Sequence, residues 1–158
     1  MKEKDKYYTP QAKEFRIGFE YEYEDIIESG ASDFFKGKIE KISQIQELLN
    51  NMYVHGNMVR VKYLDKEDVE SLGFAKRQVT NCFRDDEIEE GYVFPLTSKN
   101  EAVLHFIEKQ TVGISEHSIY DEFTENWFSQ DLFFGKIKNK SELKKLMEQL
   151  NIKSEDNE

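Results

Sequence analysis

From residue 14 to residue 24 the chain alternates: Phe15, Ile17, Phe19, Tyr21 and Tyr23 stand between Glu14, Arg16, Gly18, Glu20, Glu22 and Glu24. A period of two over this length predicts an antiparallel strand, 15–23, with one packed face and one wet face. Gly18 interrupts the wet face, as a bulge or a close backbone approach would. A polar turn over 28–33 leads to a second strand, Phe34 to Ile39. The period then changes: Ile42, Ile45, Leu48 and Leu49 line one face of a helix near Ser43 that ends at Asn50-Asn51. Asn57 to Leu64 alternates again, with Val59, Val61 and Tyr63 on one side and Met58 and Arg60 on the other. Asp65 is placed to cap a short helix, Lys66 to Leu72, with Gly73 as its stop.

The second half is less regular. Phe74–Phe83, Tyr92–Leu96, Ala102–Glu108, Ile114–Phe123 and Leu132–Lys138 read as strands, and Arg84–Glu90 as a charged loop. Gln110 to Gly113 reads as a hairpin turn. Leu143, Leu146, Met147 and Leu150 mark a final helix, and Asn139 with Glu142 has capping-box spacing. These elements predict an α+β fold, a largely antiparallel sheet of about six to eight strands with two or three helices packed on it. The expected organisation is a flexible N-terminal segment 1–13, one domain over 14–152, and a disordered tail 153–158.

One strand-then-helix unit occurs twice. Residues 33–50 align without gaps with 131–148, and the identities are Asp33/Asp131, Phe35/Phe133, Gly37/Gly135, Lys38/Lys136, Ile39/Ile137, Ser43/Ser141 and Leu48/Leu146. The apolar helix face is kept as well, which predicts an internal duplication of a strand-helix unit. Two readings compete. Lys38 and Lys136, near helix N-termini, would form paired anion sites. Alternatively, the segment is scaffold, a strand with a glycine bulge feeding a capped helix. One glycine per copy is thin for a phosphate cradle, which favours scaffold.

Composition changes the picture in two respects. Hydrophobic residues make up 38% and charged residues 34% of the 158, and aromatic residues, at 13%, supply the large apolar areas that a core needs. Acidic residues outnumber basic ones, giving a formal charge of −10, so direct nucleic-acid binding through a basic stripe is not expected. A basic protein surface is the matching partner. The one cysteine, Cys82, excludes an internal disulfide and reads as a small buried hydrophobe. No apolar run approaches the ~20 residues of a membrane span, and the expected location is cytoplasmic, without membrane contact.

Candidate chemistry is sparse. Glu20, Glu22 and Glu24, continued by Asp25 and Glu28, form one acidic patch, and Asp85, Asp86 and Glu87 to Glu90 a second. Each reads as a solvated strand face or as a surface for a basic partner. Tyr7, Tyr8, Tyr120 and Trp127 sit among polar residues, fit to anchor a partner or stack on a planar ligand. His105 and His117 would face one another if the hairpin pairs around Thr111, and a third metal ligand is missing because Glu116 points to the other strand face. His55 lies in a turn. No catalytic residue, metal site or cofactor is implied, because no nucleophile elbow, phosphate loop or C-x-x-C occurs.

Tyr7-Tyr8-Thr9-Pro10, the run Glu14 to Glu22, Val61 to Gly73 and the C-terminal F-F-G-K-I-K-N-K-S-E-L-K-K-L together resemble a group of short uncharacterised proteins of gut-type Bacteroidota and their phages. The resemblance implies a phage or prophage setting, in which small acidic proteins act on host machinery. The leading expectation is therefore a non-enzymatic phage-type binding protein acting on a host protein, in its most specific version an inhibitor of a bacterial defence system. The alternative is a protein sequestering a nucleotide or small anion with Lys38, Lys136, Tyr120 and Trp127. A metal-assisted hydrolase is a third reading, and pairing of the long strands across a homodimer stays open.

Overall fold

A computed structural model of the chain describes residues 5–26, 32–53, 58–81, 87–108, 110–118 and 129–153. They divide into two compact units, Met1–Tyr63 and Leu64–Glu158, each with its own sheet and core. The fold is α+β. Among the described residues it holds nine strands in two antiparallel sheets and three α-helices. The sequence pattern predicts one domain over 14–152 with the first 13 residues loose. Residues 7 and 8 instead form a strand of unit 1.

In unit 1, β1 (Tyr7–Tyr8), β2 (Glu20–Ile26), β3 (Ser32–Lys38) and β4 (Val59–Lys62) are ordered β1-β4-β2-β3, with α1 (Ile42–Tyr53) between β3 and β4 in the chain. The expected strand over 15–23 begins only at Glu20. Gly18 has φ +84, and its amide donates to the Ile39 carbonyl at 2.7 Å while the Phe19 amide donates to the Arg16 carbonyl at 3.1 Å. That turn breaks the alternation: Phe15 and Phe19 are buried, whereas Ile17, expected on the packed face, is 59% exposed. The core gathers Phe15, Phe19, Ile39, Leu48, Val59 and Val61, with Tyr8, Tyr21, Tyr23, Ile45, Leu49 and Met52 against them. α1 runs past the expected stop at Asn50-Asn51 to Tyr53, and Ile42 at its start is exposed.

Unit 2 opens with α2 (Lys66–Glu70), which carries the expected cap: the Asp65 side chain accepts from the Asp68 amide and the Asp68 side chain from the Asp65 amide. A meander comes next, β5 (Ala75–Asn81), β6 (Glu87–Pro95), β7 (Asn100–Glu108), β8 (Thr111–Ser118) and β9 (Ser129–Lys136), in sheet order β5-β6-β7-β8-β9. Residues 87–90, read as loop from their charge, are strand because they pair with Gln78 to Asn81. The β7–β8 turn is tight, with Gln110 at φ +65. α3 (Lys140–Gln149) closes the described chain and packs Leu143, Leu146 and Met147 onto Tyr92, Phe94, Ala102, Leu104, Val112 and Ile114.

The two strand-helix segments have matching local geometry. β3 and β9 both end on a Gly-Lys pair, Ile39 and Ile137 are both buried, and α1 and α3 start three residues later. Residues 44 and 142, at matching positions, bind the backbone just before the helix: Gln44 accepts from the Glu40 and Lys41 amides at 2.7 and 2.8 Å, and Glu142 from the Lys138 amide at 2.7 Å. The capping-box spacing predicts that Glu142 reaches the Asn139 amide, and it reaches one residue further back.

Leu143 is fully buried beneath the five-stranded sheet. Leu143→Ala is expected to lower stability by about 2–5 kcal/mol, from lost transfer energy and the cavity left behind. Urea unfolding followed by circular dichroism checks this, and a loss below ~1 kcal/mol would mean that α3 does not close the core.

Candidate functional site

Residues directly opposite on neighbouring strands share a face, as do alternate residues along one strand. In unit 1 the pairs are Tyr7↔Lys62, Arg60↔Glu22, Glu22↔Lys36, Glu24↔Phe34 and Glu20↔Lys38. One face of the sheet therefore carries Tyr7, Lys62, Arg60, Glu20, Glu22, Glu24, Phe34, Lys36 and Lys38. The other carries Tyr8, Val59, Val61, Tyr21 and Tyr23, which belong to the core.

This gathers Tyr7, Glu20, Glu22, Glu24 and Lys38, which the sequence singled out for two different roles, on a single surface. It also changes what they are. The glutamates are not an acidic patch, because Lys36 and Lys38 stand opposite two of them and Glu22 accepts from Arg60 Nε at 2.8 Å. Tyr8 is not an exposed anchor: it stacks on Tyr63 with ring centroids 4.9 Å apart, and its hydroxyl donates to the buried Glu14 carboxylate at 2.9 Å.

Arg60, which sequence reasoning placed only as an outward residue of a strand, is the centre of this face. Its guanidinium carbon lies 4.0 Å from the Tyr7 ring centroid and 3.6 Å from that of Phe34. Tyr7 comes from the strand on one side of β4 and Phe34 from beyond β2 on the other, so the cation is flanked by two rings. With Nε held by Glu22, the terminal Nη groups have no hydrogen-bond partner among the described residues. Around them opens a cleft of about 530 Å³ lined by Tyr7, Tyr8, Thr9, Asp33, Phe34, Met58 and Arg60.

The other sequence candidates fall elsewhere. Lys136 is exposed at the end of β9 in unit 2, and Glu87 is exposed at the start of β6. Gln44 takes the Glu40 and Lys41 amides ahead of α1, Glu142 takes the Lys138 amide ahead of α3, and Asn139 takes the Glu142 amide in the first turn of α3. In the second acidic patch Glu90 lies 2.8 Å from Lys66 and 2.6 Å from Lys76, which hold its carboxyl below the usual range. Tyr120, Trp127, Asp85, Asp86, Glu28, His55 and Cys82 lie outside the described residues.

His105 and His117 share a face of the five-stranded sheet but are not opposite one another. The registers are His105↔Gly113 and His117↔Glu101, because β8 begins at Thr111, opposite Glu108. His105 is fully buried, with Nδ1 3.2 Å from Glu89 Oε1. An ionised carboxylate only accepts, so the neutral ring carries its proton on Nδ1. Nε2 is buried and makes no well-formed hydrogen bond among the described residues, although the Thr80 backbone lies within reach of the ring. Space for the ring comes from Gly91, where a Cβ would stand 3.0 Å from His105 Cε1 and collide with Val79. His117 Nε2 pairs with Ser115 Oγ at 2.9 Å, and Ser115 is fully buried. Among the described residues no group of three or more His, Cys, Asp and Glu side chains is arranged to hold a metal ion. No helix among them is long and apolar enough to cross a membrane.

No family model, curated protein or solved structure matches the chain.

Burial pushes both imidazoles below their ordinary value of 6.5, against the opposing pull of Glu89 on His105 and of Glu101 and Asp131 on His117. The folded state then binds fewer protons than the unfolded chain below that pH. Their contribution to stability is complete above pH ~6.5 and is lost as pH falls through the depressed folded-state values. Urea midpoints measured from pH 7.5 down to 5 should therefore decline, and decline less in His105→Gln. Equal slopes for the two proteins would show that His105 takes no part.

Proposed function

We propose that the chain is a non-enzymatic binding protein that captures a small ligand in the Arg60 cleft of unit 1. The observation that carries this is the flanked guanidinium. Two rings and one carboxylate hold it in place, so little side-chain entropy remains to be lost on binding, while its outer N–H groups have no partner among the described residues. The lining consists of recognition groups, aromatic faces, the hydroxyls of Tyr7 and Thr9 and one carboxylate, which supports capture rather than turnover. In the phage setting that the sequence resemblance implies, such a protein withholds its ligand from host machinery.

The test is a ligand panel of carboxylates, inorganic phosphate, nucleosides and nucleotides, read by thermal shift and by perturbation of the Arg60 Nε–H and Tyr7 ring resonances. At least one class should bind saturably, and Arg60→Ala should weaken it by about tenfold or more, in line with loss of a charge-assisted bidentate contact. A panel that leaves these resonances unmoved would sink the reading.

A second reading, a host protein partner as in an anti-defence inhibitor, is favoured by a separate observation in unit 2. Ile88 is 76% exposed, a large apolar side chain on the surface of the sheet. On this reading a saturable partner is lost in Ile88→Ser and kept in Arg60→Ala. The reverse pattern excludes it.

A further inference from the structure

The lining of the Arg60 cleft specifies a pattern of donors and acceptors as well as a shape. On one side is the donor fork of Arg60, with the hydroxyl groups of Tyr7 and Thr9 also in the lining. The acceptor is Asp33, whose Oδ1 takes the Phe34 amide at 2.7 Å and whose second oxygen has no partner among the described residues. The walls are flat or soft and apolar, the rings of Tyr7 and Phe34 and the thioether of Met58.

Charge narrows the choice further. Among the described lining residues Arg60 is the one positive group and Asp33 the one negative group, and Arg60 is also paired through Nε with Glu22, outside the lining. Lys36 and Lys38 lie on the same sheet face but do not line the cleft. Among the described residues a phosphate therefore finds no cation in the lining besides Arg60. A ligand that fits must be flat and uncharged at its recognised end, give acceptors to the guanidinium, and give N–H donors to the carboxylate.

Resting on the reading of this cleft as a ligand site, we propose that its ligand is a guanine-type base carried on a nucleoside or mononucleotide. O6 and N7 of guanine accept from the Arg60 fork, the commonest specific arginine–base pairing. N1–H and N2–H donate to Asp33. Adenine presents an amino donor beside N7, which sets donor against donor at Arg60 and leaves one of its acceptors unanswered. The volume of about 530 Å³ lies in the range of small-molecule sites. A single strand of nucleic acid carries the same base, but a chain with a formal charge of −10 repels its backbone, so the free nucleoside form is the ligand.

The experiment is isothermal titration of the full chain with guanosine, guanosine 5′-monophosphate, adenosine, inorganic phosphate and a short guanine-containing single strand of DNA. Guanosine should bind saturably and adenosine about tenfold or more weaker, as one wrong base edge requires. The monophosphate should bind within about threefold of guanosine, because the described lining holds no second cation for it. Inorganic phosphate should not compete, and the oligonucleotide should bind no tighter than the nucleoside. Asp33→Asn, an exposed position that leaves the core untouched, should weaken guanosine about tenfold and narrow its lead over adenosine. Equal affinity for adenosine, competition by phosphate, tighter binding of the oligonucleotide, or an Asp33→Asn variant that binds guanosine unchanged would each overturn the proposal. If guanosine fails while another member of the panel binds in an Arg60-dependent manner, guanine recognition falls and capture stands. If nothing binds, both fall.

Discussion

Ile39 in unit 1 and Ile137 in unit 2 sit where a strand hands over to a helix, and burying them sets the direction that helix takes. Each is almost fully removed from water, and each amide is tied back to the neighbouring chain, Ile39 to the Phe19 carbonyl at 3.0 Å and Ile137 to that of Gln110 at 2.8 Å. Fixing the side chain inward and the backbone across the strand end leaves the helix one way to turn, onto the sheet face that holds the isoleucine. The side chains of Gln44 and Glu142 then bind the amides ahead of the first helical turn. With α1 and α3 so placed, one face of each sheet is covered by its own unit's helix, and the opposite face is where polar side chains must find partners.

The two opposite faces meet that requirement differently. In unit 1 it is met by cross-strand charge: Glu20, Glu22 and Glu24 alternate along β2, and cations from β3 and β4 stand beside them. Such a face remains half-buried and wet, and Arg60 becomes fixed without being used up. In unit 2 the equivalent face contains Val93, Val103, His105 and Ser115, all buried, so its polar groups lack water and depend on local pairs. Glu89 serves His105 Nδ1, and Ser115 serves His117, while Nε2 of His105 makes no well-formed hydrogen bond among the described residues. An imidazole is tolerated there because it can stay neutral, which a lysine or arginine would not do at similar cost.

What the sequence made legible was whatever depends on near neighbours. Periodicity located β3, β4, β7, α1 and α3 to within a few residues, and the Asp65 cap and the Gly73 stop needed only local spacing. Errors arose where tertiary pairing overrode the local pattern. Ile17 continued an alternation that the Gly18 turn had already ended. Ile42 matched the apolar stripe of α1 but stands at its exposed start. Glu87 to Glu90 looked like loop because four adjacent residues include three carboxylates, yet pairing with β5 and the lysines at 66 and 76 stabilise a strand there.

Arg60 shows why the site itself was out of reach. The alternation around Val59 and Val61 placed it on the outer face, and that much was visible. Its neighbours are Tyr7, Glu22 and Phe34, drawn from three other strands, and their convergence depends on the order β1-β4-β2-β3, in which the last strand of unit 1 lies second in the sheet. No linear spacing encodes that insertion. A short strand arriving late between β1 and β2 is what converts three separate segments, an aromatic pair, an acidic strand and a Gly-Lys-Ile repeat, into one surface. Residues that the linear pattern divides between a protein partner and a small ligand become neighbours through that step, and the cation that organises them is the one that the late strand brings.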